Sequence, residues 1–228
     1  MRFDVITIFP HIFDSYLGES ILKRAAKKRL IKVVTHNLRD FAADTHRKVD
    51  DLPYGGGAGM VFKAEPLLRA AESVMRKGGR GKSKIVLLSA KGKQFNQKMA
   101  YGWAAKYRRI IFISGRYEGI DERVRTILRA DEVSVGPYVL TDGDVATMVM
   151  ISAVSRLIPG VIRLESLAEE SHWNLLLKKE ARVKGSGLEY PHYTRPEVLK
   201  WKGKTHRVPR VLLSGNHKKI AEWRRAPS

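Results

Sequence analysis

Ten residues from Ser114 to Arg123, Ser-Gly-Arg-Tyr-Glu-Gly-Ile-Asp-Glu-Arg, place two arginines and three carboxylates around two glycines. They follow Arg109 to Ile113, an apolar run that reads as a buried strand. Gly115, Arg116, Tyr117 and Glu118 then fall at the strand's carboxyl end, where open α/β sheets bind ligands. A second block, Pro53-Tyr54-Gly55-Gly56-Gly57-Ala58-Gly59-Met60, holds four glycines in eight residues. Such density is entropically costly and fits places where backbone approaches a partner closely or takes positive φ. Both blocks read as parts of a site. Taken singly, each has a plainer account: Glu118, Asp121, Glu122 and Arg123 as decoration of a helix start, and Gly55 to Gly59 as a turn.

Familiar phosphate and metal motifs do not fit. A P-loop needs glycine five residues before Gly81-Lys82-Ser83, but Arg76 stands there and no strand precedes it. The Pro53 to Met60 block lacks the G-x-G-x-x-G spacing and follows a polar stretch, which argues against a Rossmann dinucleotide site. No His-Glu-x-x-His pair or nucleophile elbow occurs. His46 and His172 stand alone.

The elements that must position these blocks alternate between strand and helix patterns. Phe3 to Phe9 reads as a strand closed by Pro10, Ser20 as the cap of a helix through Leu30 with Ile21, Leu22, Ala25 and Ala26 inward, and Ile31 to Thr35 as a strand. A long polar stretch, Asn37 to Gly59, follows. Pro66 opens a helix carrying Leu67, Leu68, Ala71, Val74 and Met75, and the run from Gly78 to Lys82 reads as a surface turn. Ile85 to Leu88 and Ile110 to Ile113 read as parallel strands covered on both faces, joined by a helix with Phe95, Met99 and Trp103. Helix Ile120 to Ala130, strand Glu132 to Val135 and helix Asp144 to Leu157 complete a βα-repeating pattern, hence an α/β fold with a parallel sheet. The segment from Arg163 to Leu188, with Gly185-Ser186-Gly187, reads as a linker or lid. Beyond it Thr194 and Glu197 have capping-box spacing, and Ser214 to His217 precede a last helix ending near Arg225.

Composition narrows the partner. The chain has 228 residues, 43 Lys+Arg against 23 Asp+Glu, a formal charge of +20 and a pI near 10.3. That balance favours a polyanion, with nucleic acid ahead of a membrane surface because basic residues are scattered and no apolar run reaches spanning length. The absence of cysteine excludes disulfides, thiolate zinc sites and a cysteine nucleophile. Met1 leading directly into a strand, without a signal peptide pattern, sets the expectation of a cytoplasmic protein.

In order along nearly the whole chain, His46-Arg47, Val49-Asp50-Asp51, Pro53 to Met60, Gly115 to Arg123, Ser155-Arg156, Pro191-His192-Tyr193-Thr194-Arg195-Pro196 and Leu213-Ser214-Gly215-Asn216-His217 resemble the bacterial tRNA (guanine-N1)-methyltransferases. The resemblance implies a SPOUT-type parallel sheet with a deep trefoil knot, over residues 1–162. A linker or lid (163–188) and a small, basic, helical C-terminal region (189–228) would follow. It implies methyl transfer from S-adenosylmethionine to N1 of guanine 37 in tRNA, by a homodimer with its site at the subunit interface. The cofactor would meet Leu88 and Ser89, then Gly115, Tyr117 and Glu118, then Val135, Gly136, Pro137, Tyr138, Val139, Leu140 and Gly143. Glu118 would balance the sulfonium charge or help hold a magnesium ion.

By the same resemblance Arg156 would face guanine O6 and Glu170 would take the N1 proton, with Glu169 the alternative base. The chemistry suits them, because N1 carries a proton and charge grows on O6 as it leaves. The tRNA would meet Pro53, Tyr54, Gly55, Gly56, Gly57, Gly59 and Met60, with His192, Arg195, Ser214, Asn216 and His217. This chain departs from the family at Asp142, Ala146 and the lid acid. Its shorter C-terminal region carries extra basic residues, Lys200, Lys202 and Lys204 among them, which are expected to contact phosphates. A non-catalytic RNA-binding protein and a structural protein are the competing classes.

Overall fold

All five residues of strand β6, Arg109–Ile113, are buried, and β6 lies at the centre of a five-stranded sheet. Its neighbours are β1 (Arg2–Thr7) and β5 (Ser83–Gln94), with β2 (Lys32–Asn37) beyond β1 and β7 (Asp131–Ser134) beyond β5. Every pairing is parallel. The computed structural model describes residues 1–77, 81–163 and 190–225, and its backbone divides into two units, Met1–Arg163 and Leu164–Ser228.

Period-two alternation sends side chains to both faces of the sheet. Phe3, Val5, Val86, Leu88, Ile110 and Phe112 pack with Ala100 and Trp103 of α4 (Gln97–Lys106) and with Met150, Ile151 and Val154 of α6 (Gly143–Ser155). Ile6, Ile111 and Ile113 pack on the other face with Leu67, Ala70, Ala71 and Val74 of α3 (Ala64–Arg76) and Val124 of α5 (Glu122–Leu128). Both faces are covered, which explains why β6 reads as a continuous apolar run rather than an alternating one.

Several local expectations change. Ser20 does not cap: Glu19 occupies that position without a side-chain cap bond, and α2 (Ser20–Lys27), preceded by the short α1 (Asp14–Leu17), buries Leu22 and Ala25 while Ile21 and Ala26 stay exposed. Met75 is exposed on α3 and Leu68 only partly covered, because the buried stripe runs through Leu67, Ala70, Ala71 and Val74. Phe95 lies before α4, whose cap is Asn96, accepting from Met99 N. It still stacks on Trp103 with ring centroids 5.2 Å apart. The helix expected from Asp144 starts at Gly143 under an Asp142 cap. The 37–59 stretch is not featureless: Leu38 and Val49 are fully covered, and Asp50–Asp51 forms strand β3.

In the second unit, the Thr194 to Glu197 spacing opens no helix. Val198–Trp201 (β8) pairs antiparallel with Lys204–Arg207 (β9), so this region is a hairpin followed by α7 (Arg210–Leu213) and α8 (His217–Arg225), not purely helical. Trp223 of α8 packs near the rings of Tyr190 and Tyr193 at 6.5 and 6.3 Å. The surface turn expected at 78–82 and the lid expected at 163–188 fall largely outside the described residues.

One buried carboxylate ties three strands together. Asp4 of β1 is wholly inaccessible and accepts from Arg2 at 2.8 Å, His36 of β2 at 2.8 Å and Arg109 of β6 at 2.6 Å, while Arg109 also donates to the Val74 carbonyl of α3 at 2.9 Å. Burial alone would raise the Asp4 pKa, but hydrogen bonds from His36, Arg2 and Arg109, with the Arg109 charge, outweigh it and hold the carboxyl well below the usual range. A folded-state pKa below the unfolded one stabilises fully above about pH 4 and loses that contribution as pH falls toward the depressed value. Asp4→Ala strands a buried Arg109 and is expected to cost about 3–5 kcal/mol in urea unfolding at pH 7. Asp4→Asn should flatten the dependence of stability on pH below about pH 4, measured by denaturation across an acid series.

Candidate functional site

Backbone hydrogen bonds join the two glycine blocks. Strand β4 (Val61–Phe62) pairs antiparallel with β3, leaving Leu52 to Met60 as the loop at the hairpin's end. Glu118 N donates to Met60 O at 3.0 Å, Phe62 N to Gly119 O at 3.0 Å and Asp121 N to Phe62 O at 3.1 Å. The Tyr117 ring meets Phe62 edge-on at 5.4 Å. Gly59 permits this approach: a Cβ there would sit 2.6 Å from Glu118 Cγ, and its φ of +81° is hostile to side chains in any case. Tyr54, by contrast, is fully exposed, and Gly55 and Gly56 have open space around them.

A third and fourth segment cross at Gly143. Its N–H donates to Gly115 O at 2.9 Å, and a Cβ there would lie 2.9 Å from Gly115 N, 3.0 Å from Ser114 Oγ and 3.1 Å from Leu88 Cβ. The Leu88 segment reaches this point because β5 slips register against β7, with Leu88 and Lys93 both opposite Val133, so the residues between bulge out as a wall. Asp142 fixes the start of α6 by accepting from Asp144 N at 2.9 Å and Val145 N at 3.1 Å. Arg116 then bridges the β6 loop to that helix start, donating to Asp142 at 3.2 Å and Asp144 at 3.1 Å with its guanidinium over the Phe9 ring.

These segments enclose a cleft of about 450 Å³ at the carboxyl ends of β5, β6 and β7, the size of a small-molecule site. Leu88, Ser89, Gly115, Tyr117, Glu118, Val135, Tyr138, Val139, Leu140 and Gly143 line it. Gly136 and Pro137 do not; Gly136 sits in a turn whose carbonyl accepts from Ser134 Oγ at 2.8 Å. The lining also carries Glu118, Asp121, Glu122, Glu132 and Asp142 against Lys91, Arg116 and Arg125. The cleft is thus locally acidic on a strongly basic chain. A hydrogen bond from Arg123 holds Asp121 below the usual carboxylate range, and one from Arg125 does the same for Glu122, so both stay ionised at neutral pH.

Arg116 and Glu122 stand in the block read as part of a site, whereas Asp142 and the Glu132 and Lys91 rim were not assigned to it from the sequence. Asp142 had a legible signal, an aspartate one residue before the first helical position. The rim had none, since Lys91 comes to lie 3.5 Å from Glu122 and 3.6 Å from Glu132 only through the β5 bulge.

Arg156 is not brought to this cleft. It is the C-cap of α6, and Gly143 is that helix's first residue, so about 20 Å of helix axis separates them at 1.5 Å per residue. Glu169 and Glu170 lie outside the described residues. In the second unit, His192 stacks on Tyr190 at 4.6 Å and Arg195 is exposed. Ser214 Oγ donates to Val211 O and accepts from Asn216 N, while Asn216 accepts from Lys219 N. Ser214 and Asn216 therefore organise the entry to α8, with His217 its first residue. Among the described residues no group of three or more His, Asp or Glu is placed to hold a metal ion, and no helix is long and apolar enough to cross a membrane.

The family described as tRNA (Guanine-1)-methyltransferase TrmD matches residues 1–228. A tRNA (guanine-N(1)-)-methyltransferase of Thermomicrobium roseum is 53% identical over 99% of this chain and 78% of its own length. Those of Dehalococcoides mccartyi and Clostridioides difficile are 50% and 46% identical over the whole chain, covering 86% and 92% of the relatives. With agreement of this order over the whole chain, and with the two glycine blocks joined by backbone hydrogen bonds beside the cleft, the chain belongs to the tRNA (guanine-1)-methyltransferase family.

Proposed function

We propose that this protein transfers a methyl group from S-adenosylmethionine to N1 of a guanine in tRNA, at position 37. The observation that carries the assignment is the acidic, glycine-walled cleft at the sheet's carboxyl edge in a chain of net charge +20. A cationic small molecule fits the cleft; a polyanion fits the rest of the surface. When bound, S-adenosylmethionine supplies an electrophilic methyl on a sulfonium. Gly115 and Gly143 line the site without side chains, Leu88, Val135, Tyr138, Val139 and Leu140 wall the rest of it, and Glu118 places a carboxylate toward positive charge. Glu118 is also the carboxylate open to a magnesium ion, which binds through one or two carboxylates with substrate oxygens completing its shell.

At the guanine, Glu170, or Glu169 beside it, accepts the N1 proton, and Arg156 donates to O6 as negative charge develops there. Because Arg156 lies about 20 Å along α6 from Gly143, one copy's Arg156 does not stand at its own cleft. We infer a homodimer in which each copy's Arg156 serves its partner's cleft, together with a trefoil knot in the sheet region. Exposed apolar side chains support the dimer: Val145 and Val149 (43% and 47% exposed) are one helical turn apart on α6, which packs beside the 3-10 turn Pro10–Phe13 bearing Ile12, with Phe9 just before it.

Four outcomes are expected. Incubation with methyl-labelled donor and total tRNA should yield 1-methylguanosine at position 37 by mass spectrometry; tRNA binding without transfer would leave a non-catalytic RNA-binding protein. Gly143→Ala forces a Cβ between Gly115 and Leu88, and should weaken S-adenosylmethionine binding by calorimetry at least tenfold, about 1.4 kcal/mol. Arg156→Ala should lower kcat about 10²–10³-fold with donor affinity kept. Mixing the two variants at a donor concentration too low for Gly143→Ala to be occupied, with subunit exchange, should restore about a quarter of wild-type activity, since half the dimers are mixed and each has one intact site. No restoration would place Arg156 in its own chain's cleft.

A further inference from the structure

The β8–β9 hairpin carries side chains that its own packing does not use. Cross-strand partners Leu199↔His206 and Trp201↔Lys204 share one face, and Val198↔Arg207 and Lys200↔Thr205 share the other. Of its strand residues only Val198 is partly covered; Leu199 is 51% and Trp201 64% exposed. Lys202 and Gly203, with φ of +47° and +75°, make the two-residue turn, whose backbone twist matches that of the strands. Between residues 198 and 207 stand Lys200, Lys202, Lys204 and Arg207 and no carboxylate. A projecting ribbon thus ends in a tryptophan flanked by three lysines.

Neither feature serves the fold. A Trp opposite a Lys adds only a small cross-strand contribution, and an exposed indole beside an exposed leucine is a recognition signal when nothing in its unit covers it. The charges repel one another and gain most against phosphates, whose condensed counterions they release. An indole face between such cations is the arrangement by which proteins hold single-stranded nucleic acid: stacking on the base, ion pairs along the backbone. Paired bases of an A-form stem are hidden within their stack, whereas loop bases can be splayed onto an aromatic ring.

We propose that this hairpin is a nucleotide-binding arm, in which Trp201 stacks on an unpaired base of the tRNA while Lys202 and Lys204 contact the phosphates beside it. The proposal rests on the tRNA-modifying activity assigned above and adds a recognition element to it. Stacking and ion pairing respond differently to salt, and this separates the roles. Stacking shifts affinity equally at every salt concentration; each phosphate contact contributes about 0.7 to the slope of log K against log salt on a single strand.

The test uses the full chain and an unmodified tRNA transcript, with dissociation constants measured across a potassium chloride series. Trp201→Ala and Trp201→Leu are both expected to weaken binding about tenfold with an unchanged slope, because leucine keeps apolar bulk but offers no π-face. Trp201→Phe should retain most of the affinity. The pair Lys202→Ala and Lys204→Ala should lower the slope by about 1.4. In turnover, Trp201→Ala should raise the KM for tRNA and leave kcat and S-adenosylmethionine affinity unchanged. A wild-type protein that methylates tRNA while Trp201→Ala and Trp201→Leu keep wild-type affinity and KM overturns the arm alone, as does Trp201→Leu binding like wild type. A wild-type protein that takes up no donor and transfers no methyl overturns the activity instead.

Discussion

No side chain fits at position 143, and the candidate site depends on that close approach. The N-terminus of α6, the loop after β6 and the bulge of β5 meet within 3.1 Å of where a Cβ would be. Interiors are packed so densely that even one added methyl must displace a neighbour. Here the neighbours are the Gly115 backbone nitrogen, the hydroxyl of buried Ser114 and the Cβ of buried Leu88, all in or directly beside the sheet strands, so the crossing is rigid. Around it the chain adds locking contacts: Asp142 capping α6, Arg116 joining cap to loop, and backbone bonds from the 114–123 block to Met60 and Phe62.

Charge is organised at two scales. Over the whole chain the excess of Lys and Arg gives a long-range field that attracts polyanions, weakened by salt. Within the cleft five carboxylates outnumber three cations, and hydrogen bonds from Arg123 and Arg125 hold two of them below the usual carboxylate range. A basic exterior and an acidic cleft are not in conflict, because screening confines the cleft's field to its own contents. Family membership and this inversion point the same way: a nucleic-acid substrate and a small cationic donor.

Among the described residues of the second unit the packing runs through rings: Tyr190, His192, Tyr193 and Trp223, with the Arg224 guanidinium over Tyr190. Ser214 and Asn216, which the family resemblance places near substrate, also cap the entry to α8. A residue that sets a backbone turn holds its neighbours in place, so structural and binding roles can coincide here. The hairpin differs, since its exposed side chains stabilise little of the unit that bears them.

What the sequence determined by itself was whatever depends on local pattern: the βα order, the all-buried β6, and the fall of the 114–123 block at a strand's carboxyl end. Those follow from periodicity and from the geometry of parallel sheets. Capping was less legible. Ser20 has the right chemistry but lies one residue late, and the Thr194 to Glu197 spacing precedes strands, because hydrogen-bond partners across the chain overrode the local preference. Only the tertiary structure decided that the two glycine blocks are hydrogen-bonded to each other, that Lys91 faces Glu122 and Glu132, and that Arg156 stands a full helix away from Gly143. Each is a contact or separation between residues distant in sequence, and long-range distances are fixed by packing, to which no local pattern has access.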